Sequence, residues 1–197
     1  MTQQEQAPSA RRPRRADAER TVRTILEAAE RVLSADPAAS MEQIAAAAGV
    51  ARTTVHRRFA TRDALIDELT GWAAQRFGDA VDRARPETAP PLVALYQVTA
   101  NVLEVKIGWG FAMDRAFSGD PQVAEVHTGV RERCDRLFVR ARDAGVIRAD
   151  ADLDWARRVY YALIHEATLR PEPADTDALA TLVVDTLLRG IGAGGGL

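Results

Sequence analysis

The residues of this 197-residue chain best suited to chemistry lie in one short stretch. Arg52, Thr53, Thr54, His56, Arg57 and Arg58 follow one another with only Val55 between them. On a helix, Val55 and Phe59 stand four residues apart on one side, and the cations and hydroxyls cover the other. Such side chains are hydrogen-bond donors and phosphate partners, with no nucleophile among them. A helix built this way can enter a DNA major groove, read base edges from its first turn and hold phosphates with the rest.

No set elsewhere is organised for catalysis. His165-Glu166-Ala167-Thr168-Leu169 begins like a zinc-protease helix but lacks the second histidine. Gly190, Gly192 and Gly194 imitate a phosphate loop, yet they follow a helix and precede nothing. The expectation is therefore no enzyme, no metal and no cofactor. Cys134 is the single cysteine, with no neighbour in sequence that would activate it, so it reads as a buried thiol. One cysteine makes no internal disulfide, which fits a reducing compartment. No run of about 18 apolar residues is present, so no membrane span is expected. The N-terminus turns basic without an apolar segment, unlike a secretory signal, and the expected location is the cytoplasm.

Steep helix packing has to present the Arg52–Arg58 stretch. The composition, 47% hydrophobic and 27% charged, supports a packed core and argues against disorder. Residues 1–15 have no apolar period and read as a flexible basic arm. From Ala16 the pattern is helical: Val22, Ile25, Leu26, Ala29, Val32 and Leu33 form one stripe that ends at Asp36-Pro37. Ser40-Met41-Glu42-Gln43 has the form of a capping box. Ala45 and Ala48 are small enough for a crossing helix, Gly49 suits a positive φ at the turn, and Val50, Val55 and Phe59 lock the second helix from inside. Thr61 is placed to cap a further helix carrying Leu65, Ile66, Leu69, Trp72, Ala73 and Phe77. Beyond a Pro86–Pro91 break, helices are expected over 92–106, 108–117, 122–144, 154–169 and 177–188, with Gly145 as a left-handed cap. The fold class is all-α. Its expected parts are the arm 1–15, a three-helix helix-turn-helix domain 16–62, a helical ligand-binding and dimerisation domain 63–191 and a frayed tail 192–197. Charge sorts the same way. Residues 1–62 hold 11 Arg/Lys against 7 Asp/Glu (+4) and the remainder 15 against 21 (−6), so a polyanion is drawn to one end.

The segment closely resembles the TetR family of transcriptional regulators. The resemblance rests on Ser40, Ile44-Ala45, Ala48-Gly49-Val50, Thr54, His56, Arg57-Arg58, Phe59 and Arg62-Asp63-Ala64-Leu65, and covers about residues 17–70. It implies base-edge contacts from Arg52 and Thr53, with Thr54 beside them, and phosphate contacts from Thr54, His56, Arg57, Arg58 and Arg62. With the Ser40 cap these make up the expected DNA-binding set. Three positions depart from the family pattern: His56 stands for the usual Tyr, Arg62 for Lys, and Ala51 for a frequent Ser cap. Arg11-Arg12-Pro13-Arg14-Arg15 either follows the minor groove or is a leader without a role in binding.

The resemblance also implies a ligand pocket and a homodimer in the C-terminal domain. Tyr96, Leu103, Trp109, Phe111, Met113, Phe117, Arg131 and Tyr161 are the expected pocket residues; an aromatic and Met cluster suits a small, largely apolar effector. His127 and His165 are placed to orient a polar group. The dimer surface is expected on the last two long helices, from Trp155, Val159, Tyr160, Leu163 and Ile164, then Leu179, Val183 and Leu187, closing a four-helix bundle. The partners expected are thus double-stranded DNA carrying a palindromic operator, the effector and a second copy, with no membrane. The function expected is that of a repressor released by its effector. The rival reading is a helical protein-interaction module without DNA binding, which predicts no salt-dependent affinity for duplex DNA.

Overall fold

A computed structural model describes residues 11–115, 120–170 and 175–192, with side chains from residue 16 onward. Among them run nine helices: α1 (Arg11–Ala35), α2 (Met41–Ala47), α3 (Arg52–Arg58), α4 (Arg62–Arg83), α5 (Pro91–Gly108), α6 (Gly110–Arg115), α7 (Pro121–Asp143), α8 (Leu153–Thr168) and α9 (Thr176–Ile191). No strand interrupts them in the described residues, so the all-α expectation holds. The chain divides into two compact units that part at Leu69/Thr70, inside α4, which runs through that point as one helix.

In the first unit, Ile25, Leu26, Ala29 and Leu33 of α1 are fully buried with Ile44 of α2, Val55 of α3 and Leu65 and Leu69 of α4. α1 begins at Arg11, five residues before Ala16, where the helical pattern was expected to start, which shortens the expected arm; residues 1–10 lie outside the described part. Pro13 is no obstacle, because the first turn of a helix has no internal N–H acceptors to satisfy.

In the second unit, α5 packs against α7, α8 and α9. Ala94, Leu95, Val98, Thr99, Val102, Leu103 and Val105 are buried around it, as expected of a helix apolar on most sides. This arrangement corrects the expected dimer stripe. Tyr160, Ile164, Leu179, Val183 and Leu187 are buried in the protomer's own core, since α5 needs apolar cover from α8 and α9. The large apolar side chains these two helices leave exposed are Trp155 (61%), Leu182 (49%) and Tyr161 (37%), with Val159 and Leu163 half-buried. Ile147 bridges to Gly192, and Arg148 N donates to Ile191 O at 2.9 Å, so Gly192 is tied down; residues 193–197 lie outside the described part. No helix among the described residues is long and apolar enough to cross a membrane.

Candidate functional site

The turn before α3 is built by local chemistry. Ser40 Oγ accepts from Gln43 N at 3.3 Å and Gln43 Oε1 accepts from Ser40 N at 2.7 Å, a complete capping box that fixes where α2 starts. Gly49, at φ +66°, takes the left-handed conformation, and Val50 N donates back to Ala45 O at 3.1 Å. The chain then enters α3 from Ala51, which supplies no side-chain cap. Val55 is fully buried and Phe59 nearly so, whereas Arg52, Thr53, His56, Arg57 and Arg58 are exposed and Thr54 is half-buried. Val50 is only half-buried, so the inner lock rests on Val55 and Phe59.

The exposed face is not electrostatically uniform. Arg52 Nε lies 2.8 Å from Glu42 Oε1 and 3.4 Å from His56 Nε2, while Arg57 and Arg58 have no ion pair among the described residues. Arg62 behaves differently from the other cations. Its Nε donates to Ala39 O at 3.2 Å and its Nη2 to Pro37 O, so it ties the α1–α2 turn to the start of α4. Ser40 likewise acts here as a helix cap.

The second unit holds a cavity of about 620 Å³ lined by residues of α4, α5, α6, α7 and α8. Phe77, Val98, Val102, Met113 and Ile164 give it apolar walls, and Lys106, His127, Arg131 and His165 bring nitrogen atoms to it. Burial pushes the His127 imidazole below its ordinary value, helped by the nearby Lys106 charge, and its ring lies against Phe77 with centroids 5.4 Å apart. Burial also holds the Lys106 ammonium below the usual lysine range, with Asp114 opposing that shift. Cys134 lines the same cavity, and burial pushes its thiol up to about 12. Among the described residues no cluster of His, Cys, Asp or Glu could hold a metal ion.

A family model described as bacterial regulatory proteins, tetR family, matches residues 25–69, the helix-turn-helix and its flanks. The chain is 35% identical over 147 residues to the HTH-type transcriptional repressor LfrR of Mycolicibacterium smegmatis, covering 74% of this chain and 76% of that one. The chain belongs to the TetR family. As a TetR-family member it is a DNA-binding transcriptional repressor and not an enzyme, so the reading as an interaction module without DNA binding gives way. Among solved structures, LfrR from Mycobacterium smegmatis in complex with proflavine is similar at a TM-score of 0.65 and 30% identity, covering 87% of this chain and 97% of that one. PfmR from Thermus thermophilus shares the fold at a TM-score of 0.71 and 20% identity, covering 84% and 97%.

Of the eight pocket residues expected from sequence, this TetR-family chain brings Met113, Arg131 and Tyr161 to the cavity. Leu103 is sealed in the core, and Tyr96 turns to α9, where its hydroxyl donates to Asp185 Oδ1. Trp109 packs edge-on against Trp72 at 4.6 Å, and Phe111 is buried under the Arg115 guanidinium at 4.1 Å. Phe117 lies outside the described residues. Lys106 was missed. The available signal was a lysine between Val105 and Ile107, four residues after Val102 and so on a side of the helix that is otherwise apolar.

Proposed function

We propose that this repressor binds a palindromic operator as a homodimer and leaves it when a small, largely apolar organic effector fills the 620 Å³ cavity. The observation that carries the DNA-reading half is the sorting of α3, with Val55 and Phe59 inside and Arg52, Thr53, His56, Arg57 and Arg58 outside. Arg52 and Thr53 are the base-reading pair, and Thr54, His56, Arg57 and Arg58 hold phosphates. Arg62 serves mainly to fix the turn, with phosphate contact secondary. A second copy of the chain packs on the outward side of α8 and α9 through Trp155 and Leu182, giving two heads that meet half-sites about one helical turn apart. The cavity's apolar walls support the effector half, and the proflavine complex of LfrR supports an aromatic body for it. Release follows from linkage: an effector that prefers the conformer with lower DNA affinity must weaken the operator complex by the same factor.

The test is selection of bound duplexes from random DNA by the purified protein. A palindromic consensus is expected. Replacing Arg57 and Arg58 together by Ala should weaken binding to all duplexes alike and reduce the salt slope by about 2 per protomer. Failure to bind any duplex at low salt would overturn the reading.

A further inference from the structure

The charges around the cavity are unbalanced in a way that selects among effectors. Lys106 is half-buried near the end of α5, and among the described residues no carboxylate stands within ion-pairing distance of it. Asp114, on α6, acts on it only through longer-range attraction. Arg131, on α7, is exposed and lines the same space. Among the described residues the lining holds one carboxylate, Asp120, whose Oδ1 accepts from Gln122 N at 2.8 Å as the cap of α7, so Lys106 and Arg131 outnumber it by one fixed charge. Burial disfavours the charged form of His127. The C-terminal end of α5 favours a cation at Lys106, but that attraction operates equally at the surface and does not call for a half-buried amine.

Resting on the proposed effector role of this cavity, we infer that its effector is an organic anion. Its apolar body lies against Phe77, Val98, Val102 and Met113, and its oxyanion meets Lys106 and Arg131. A carboxylate or sulfonate placed there gains charge-assisted hydrogen bonds and restores to Lys106 the compensation that burial removed. A cationic effector of the same size would add a third positive charge to a lining in which, among the described residues, Asp120 is the one carboxylate. The chain would then differ from LfrR, whose structure holds proflavine, in the sign of charge it accepts.

The test uses the intact protein and two fluorescent probes that differ in one group: 8-anilinonaphthalene-1-sulfonate, and N-phenyl-1-naphthylamine, which is the same body without the sulfonate. Proflavine serves as the cationic comparison. The sulfonate is expected to bind about tenfold tighter than the neutral probe, the increment of one charge-assisted hydrogen bond. Lys106→Met should remove that advantage while leaving the affinity for the neutral probe unchanged, which also shows that the cavity is still folded. Lys106→Arg should restore most of it. If the neutral probe or proflavine binds as tightly as the sulfonate, or Lys106→Met leaves the sulfonate's affinity unaltered, the anion inference is overturned and the effector cavity stands. If none of the three probes binds, the effector reading falls with it.

Discussion

Arg52 of α3 is held by Glu42 of α2, Nε to Oε1 at 2.8 Å, so the first cation of α3 is aimed by a carboxylate from the helix before it. Both side chains are well exposed, and the pair contributes little to stability. On the proposed DNA-reading role of α3, its effect belongs to recognition. Glu42→Gln should leave the thermal midpoint essentially unchanged. Binding to random duplexes should tighten several-fold at low salt, because a negative charge leaves the DNA-facing surface, and the gain should fade as salt screens it. Discrimination between operator and random DNA should fall, since Arg52 loses its fixed direction. Titrations of both DNAs against salt check this, and an unchanged ratio would refute it.

The same carboxyl gives a pH prediction. Hydrogen bonds from its own backbone N–H and from Ser40, and then the Arg52 charge, hold Glu42 below the usual carboxylate range. A depressed folded-state value means that the contribution is present above the ordinary carboxylate pKa and disappears as pH falls through the lowered one. Carboxyl-resolved NMR should find the Glu42 midpoint raised more by Ser40→Ala than by Arg52→Ala.

Gly49→Ala isolates backbone strain. A Cβ built at Gly49 meets nothing within 4 Å, so the only cost is the left-handed conformation at φ +66°, about 1–2 kcal/mol. Gly145, at φ +72° with equal space, should behave alike. Chemical denaturation followed separately for the two units should show each substitution destabilising its own unit. Gly49→Asn should cost less than Gly49→Ala, because Asn tolerates this region better.

Inside the second unit, Thr99 and Tyr160 share a buried hydroxyl pair at 2.8 Å. Thr99 Oγ1 donates its one proton to Leu95 O, so Tyr160 is the donor to Thr99. The two single variants are therefore unequal. Tyr160→Phe removes a donor and leaves Thr99 bonded, at about 1 kcal/mol. Thr99→Val strands the Tyr160 hydroxyl in the core and should cost more, about 1–3 kcal/mol. Equal losses in denaturation midpoints would contradict this proton assignment.

Cys134 should be inert in the folded protein. With its thiol pushed up to about 12 by burial, almost no thiolate exists at pH 8, whereas an unfolded cysteine near 8.5 reacts readily. A disulfide reagent should label it far more slowly in native buffer than in denaturant. Because the folded value is raised, this group's contribution is full below about 8.5 and declines as pH climbs towards 12.

What the sequence by itself determined is whatever neighbours along the chain decide. The Ser40–Gln43 capping box, the left-handed Gly49 and Gly145, and the sorting of Val55 and Phe59 from the arginines are all set by spacings of a few residues. The helix order was readable for the same reason, with most ends within one to three residues. Contacts between distant segments decided the rest. Arg62 found the Pro37 and Ala39 carbonyls 25 and 23 residues away, which no local pattern announces. α5 is apolar on most sides, so its own sequence cannot say which flank α8 and α9 will cover and which will stay open as a cavity. Packing made that choice. It drew Tyr160 and Leu187 inward, turned Tyr96 towards Asp185, and left Lys106 at the edge of an open space. Burial energy depends on area removed from water whatever its partner, so an apolar stripe fixes that a residue is covered, and only the assembled fold fixes by what.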